Sequence, residues 1–105
     1  MASFRIVSIP KGPAPEEVRK KWIGLVLPLK GSFNPGEGAY ESDFSLKRQQ
    51  ARSIVTVPVR TALDELAKKS PEAAQWFYDN LPKAWLQFNR DISFGIDEVE
   101  ILDPV

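Results

Sequence analysis

The longest apolar run in the chain, Trp22 to Leu29, follows the cations Arg19, Lys20 and Lys21 and is broken only by Gly24. Closed by Pro28 and then Lys30-Gly31, it has the length of a strand buried on both faces. It falls well short of the roughly 20 apolar residues that a membrane-crossing helix needs. This octapeptide is expected to lie extended in the interior, with the rest of the chain folded over it.

The flanking pattern predicts the other elements. From Phe4 to Ile9 both faces of an alternating segment carry apolar side chains, as in a central strand, and the prolines from Pro10 to Pro15 end it. Glu16 to Lys21 suits one or two helical turns, with acids early and Glu16–Lys20 and Glu17–Lys21 at i,i+4. Residues 30–52 carry Gly31, Asn34-Pro35-Gly36 and Gly38 but no apolar period. That reads as a long loop, with room for a short strand around Ala39 to Phe44. Ser53 to Val59 is β-branched and alternating, a strand with Pro58 at an edge or a bulge.

Two helices follow. Thr61 is the expected N-cap of a helix ending near Lys69, and Ser70-Pro71-Glu72 starts a second that runs to Asn80. Ala73, Trp76, Phe77 and Leu81 supply its apolar face. Ala84 to Phe88 reads as a strand and Asn89-Arg90-Asp91 as a turn. Ile92 to Leu102 then forms one strand bent at Gly95 or two short ones, with Glu98 and Glu100 on the outer face. Without helical crossovers between the early strands, the sheet should be mainly antiparallel. The fold class is α+β: a small, partly open β-barrel or sheet of five to six strands, with two consecutive helices at about 61–69 and 71–80.

Composition narrows the chemistry. The 105 residues suit one domain, and the chain has neither cysteine nor histidine. Disulfides and thiolate sites are excluded, and the commonest general base and transition-metal ligand are missing. Enzymatic activity is therefore disfavoured and no cofactor is expected. The N-terminal residues lack the apolar centre of a signal peptide, Arg5 interrupting it and Pro10 ending it, which predicts a cytoplasmic protein with no membrane contact. Net charge is zero, but residues 1–61 hold ten Lys or Arg against five Asp or Glu, and residues 62–105 hold four against nine. Such a division fits internal attraction between halves, or opposite faces that favour self-association or a charged partner.

Four groups of residues invite a functional reading. Cations from Arg19 to Arg60, including Lys47, Arg48 and Arg52, interleave with Trp22, Phe33, Tyr40 and Phe44. That combination could hold single-stranded nucleic acid, although solvated cations beside core aromatics explain it more simply. The Gly31–Gly38 loop lacks the Gly-Lys-Ser/Thr ending of a phosphate loop. The acids Asp91, Asp97, Glu98, Glu100 and Asp103 lack calcium-loop spacing, so no metal site is expected. Trp76, Phe77, Tyr78, Trp85 and Phe88 cluster densely, by default as helix-on-strand packing, with at least one ring left for a groove. The favoured function is a small interaction module binding a protein partner or its own copy. Trp22, Phe33, Tyr40, Arg48, Arg52 and Trp76 are the candidate contacts. Nucleic-acid binding through the basic N-terminal half, or a small-ligand site, is the alternative.

Overall fold

The structure, a computed structural model, describes residues 2–33 and 54–102. The predicted strand around Ala39 to Phe44 and most of the predicted loop lie outside the described residues. Among the described residues six strands appear: β1 (Ser3–Ile6), β2 (Val26–Pro28), β3 (Gly31–Phe33), β4 (Ile54–Pro58), β5 (Asp91–Gly95) and β6 (Val99–Leu102). Four helices accompany them: α1 (Glu16–Arg19), α2 (Val59–Lys69), α3 (Pro71–Asn80) and α4 (Lys83–Gln87), with 3-10 turns at Lys20–Trp22 and Ile96–Glu98. The α+β class and the two consecutive helices are as expected.

The barrel is not. The strands form two three-stranded sheets, ordered β2-β1-β6 and β3-β4-β5, and every pairing is antiparallel. The chain crosses between the sheets at two corners, and hydrogen bonding explains both. At the first, the Leu29 N–H donates to Ala2 O in one sheet while the next N–H, of Lys30, donates to Thr56 O in the other. Pro28 has no N–H to hold the earlier ladder together at that point. At the second, the 3-10 turn after Gly95 carries the chain from β5 to β6, so the predicted bend at Gly95 separates two short strands.

The octapeptide from Trp22 to Leu29 is also corrected. Trp22 ends a 3-10 turn, Gly24 takes φ +91°, and only Val26–Pro28 is strand. That strand is an edge of its sheet, with Leu27 inward and Val26 and Pro28 outward. A positive φ at Gly24 is incompatible with a continuous strand, so apolar content here marks a turn and an edge. The central strands are instead β1 and β4. In β1, Phe4 and Ile6 are fully buried and Arg5 is exposed; in β4, Val55 and Val57 are fully buried.

Leu63 and Leu66 of α2 and Ala73 and Ala74 of α3 complete the core over these strands. Helix α2 starts two residues before the expected Thr61 cap, directly after Pro58. Ser70 alone joins α2 to α3; its Oγ accepts from the Ala73 N–H at 3.2 Å, the cap expected from the sequence. Arg5–Glu100 and Lys30–Asp91 each pair a cation of the first half with an acid of the second, so part of the charge division is internal attraction. Among the described residues no helix is long and apolar enough to cross a membrane.

Candidate functional site

The segment from Ala84 to Phe88, expected as a strand, is mostly helix α4, and its last residues form the most exposed aromatic surface in the described chain. Pro82 opens the turn from the N-cap position, where its carbonyl accepts the Trp85 N–H at 3.0 Å. The far end is held by Arg60, whose Nε donates to Leu86 O at 2.8 Å and Nη2 to Gln87 O at 3.0 Å. The Arg60 backbone N–H donates to the Asn89 side chain at 3.0 Å. Asn89 itself sits at φ +48°, a left-handed position that Asn tolerates, and turns the chain into β5.

This clamping holds the turn that carries two rings at the surface. Phe88 is 66% exposed and Trp85 is 37% exposed. A shallow groove beside them is lined by Lys30, Asn89, Arg90 and Asp91, with Lys30 Nζ 2.9 Å from Asp91 Oδ1. The aromatic cluster expected from Trp76 to Phe88 is therefore not one packed unit. Phe77 packs inward, Tyr78 lies exposed on α3, and Trp85 of α4 and Phe88 just after it are exposed.

The residues predicted as contacts do not converge here. Trp22 is buried in the core, edge-on to Phe77 at 5.5 Å and to Phe94 at 5.3 Å, so it cannot present a docking face. Trp76 is half-buried against Phe77, and Phe33 ends β3 opposite Ile54. Tyr40, Arg48 and Arg52 lie outside the described residues.

No match was found. Comparison with protein-family models, with curated proteins and with solved structures alike returns nothing similar to this chain. Geometry alone thus bears on function.

Two further arrangements went unseen in the sequence. Glu98, expected on the outer face of a strand, is buried in the 3-10 turn and uses both carboxylate oxygens on backbone amides. Oε1 accepts from Gly95 at 2.7 Å and Oε2 from Lys11 at 2.8 Å. This fastens the Pro10–Ala14 loop to the β5–β6 corner. Arg19 fastens the loop's other side: its Nε donates to Ala14 O at 2.7 Å and Nη1 to Pro10 O at 3.1 Å. Beneath the pinned loop lies a half-enclosed pocket of about 120 Å³ walled by Trp22, Leu63, Phe77 and Phe94. The remaining acids do not gather: Glu100 pairs with Arg5 and Asp91 with Lys30. Among the described residues no three Asp or Glu side chains group as metal ligands would.

Proposed function

We propose that this chain is a protein-interaction module, acting in the cytoplasm, that seats its partner on the Trp85–Phe88 turn. The carrying observation is Phe88, 66% exposed in a turn that Arg60 clamps with two hydrogen bonds to backbone carbonyls and a third to the Asn89 side chain. A backbone already held in place lowers the ordering cost of binding, and aromatic and Arg side chains are enriched at interfaces. The missing His and Cys leave this surface no obvious nucleophile or base at neutral pH.

The test is quantitative affinity capture from the native host, comparing wild type with Phe88→Ser and Trp85→Ser. Val26→Ser, on the outer face of β2, serves as control. The proposal expects one protein retained by wild type and by the control and lost with both aromatic variants. Equal retention by all four overturns it. Sedimentation over a concentration series decides whether the partner is a second copy: a wild-type dimer that Phe88→Ser makes monomeric assigns self-association.

The same surface supports a second reading. Two exposed rings beside Lys30 and Arg90 resemble the stacking-plus-cation arrangement that holds single-stranded nucleic acid. Asp91 neutralises Lys30 in the middle of the groove, which interrupts any phosphate track and favours the protein reading. A gel shift with single-stranded oligonucleotides at low salt, abolished by Phe88→Ser, would reverse that preference.

A further inference from the structure

We propose that the pocket beneath the Pro10–Ala14 loop binds a small apolar group that ends in a carboxylate. The site is separate from the aromatic turn and does not depend on it. Its walls, Trp22, Leu63, Phe77 and Phe94, are apolar, and its volume of about 120 Å³ sets the size of the guest. An apolar cavity of about 150 Å³ holds one benzene, so this one takes a short alkyl chain or a single ring. A dinucleotide or a flavin is far too large.

The mouth sets the charge. Lys11 and Arg19 line the pocket and no acid does. Arg19 spends Nε and Nη1 on the loop carbonyls of Ala14 and Pro10, and no acceptor among the described residues takes its Nη2. Glu98 spends its carboxylate oxygens on the amides of Gly95 and Lys11, and among the described residues neither Lys11 nor Arg19 forms an ion pair with an acid. A cationic rim above an apolar floor is complementary to an anion with an apolar body. The guanidinium's planar donor edge suits a carboxylate, and the apolar walls disfavour a compact, strongly hydrated anion. The same group could arrive as a free acid or as the C-terminal residue of a peptide.

The experiment is a ¹H–¹⁵N NMR titration of the whole protein. The probes are hexanoate and 1-hexanol, and Gly-Gly-Leu with a free or an amidated C-terminus. Binding is expected to move the Gly12 and Ser93 amides and the Trp22 indole, leaving Trp85 in place. Each carboxylate should bind about tenfold tighter than its neutral counterpart, the scale of one hydrogen bond to a charged group. Lys11→Ala, which removes only an exposed side chain, should weaken hexanoate several-fold, and Arg19→Gln should erase the preference over hexanol. Tighter binding of the free tripeptide than of hexanoate assigns the group to a peptide terminus, and the reverse assigns it to a free acid. Equal affinities for charged and neutral probes in the wild type, or shifts centred elsewhere, overturn the proposal. So does the absence of any shift at millimolar probe.

Discussion

Glu98 offers the sharpest check on the physical account, because a strand reading and the structure give it opposite environments. Its side chain is buried, and each carboxylate oxygen accepts one backbone N–H, from Gly95 at 2.7 Å and from Lys11 at 2.8 Å. Glu98→Gln keeps the shape but replaces one acceptor with an amide NH₂, which faces a backbone donor. One bond to a charged acceptor is lost, worth about 1.5–3 kcal/mol, and a donor is left opposite a donor. Water reaches the exposed Lys11 more easily than Gly95, and removing a buried charge recovers some desolvation, so the net loss should be about 2 kcal/mol. Glu98→Ala forfeits both bonds and should cost more. With urea slopes of about 1–3 kcal/mol per molar for small domains, Glu98→Gln should lower the unfolding midpoint by about 1 M with little change in slope. Hydrogen exchange should localise the effect, with the Lys11 and Gly95 amides losing protection before those of Phe4 or Val57. Midpoints for both variants within about 0.3 M of wild type would refute the reasoning, since a solvated outer-face carboxylate contributes little.

Other substitutions separate backbone, steric and packing effects, each read by the same urea unfolding. Gly24→Ala should cost about 1–2 kcal/mol from backbone strain alone, because φ is +91° and nothing lies within 4 Å of an added Cβ. Gly95→Ala should cost about 1 kcal/mol for the opposite reason: the added Cβ would stand 2.7 Å from Asp97 Oδ1, which can swing away, and 3.1 Å from the pinned Glu98 Oε1. Gly95→Ala costing as much in a Glu98→Ala background as in the wild type would contradict the steric assignment, and a harmless Gly24→Ala would contradict the backbone one. Ser70→Ala removes the cap of α3 and should cost about 1 kcal/mol. Leu66→Ala, at a fully buried position, should cost about 2–5 kcal/mol, and a loss below 1 kcal/mol would place Leu66 outside the core.

How much of this was legible varies with the range of the interaction that decides each element. Helix α3 was legible at both ends because its signals are local: Ser70 as cap, Pro71 at the first position and Pro82 beyond the end. Strand β1 was legible through alternation that burial then satisfied, and β4 through its β-branched run, although Val55, Thr56 and Val57 are buried in succession rather than alternately. Apolar content misled at Trp22–Leu29, where one glycine at positive φ outweighs seven apolar neighbours. Glu98 was misread because alternation counts faces only while the strand lasts, and the 3-10 turn at Ile96–Glu98 rotates that side chain inward.

The candidate interface was hidden for a related reason. Ala-Trp-Leu-Gln-Phe from residue 84 to 88 is rich in aromatics that favour strands, and five helical residues gain little from propensity. What decides the helix is Arg60, about 26 residues away in sequence, which caps the carbonyls of Leu86 and Gln87. A cap supplied across that distance has no signature in the segment it stabilises, so neither the helix nor the exposure of Phe88 could be read there. The same dependence makes the clamp testable apart from the partner. Arg60→Leu should leave the β1 and β4 amides protected while those of Leu86 to Asn89 exchange faster, and it should weaken partner capture even though Phe88 is intact. If capture survives with the turn loosened, the rings bind without a fixed backbone, and the role assigned to Arg60 is wrong.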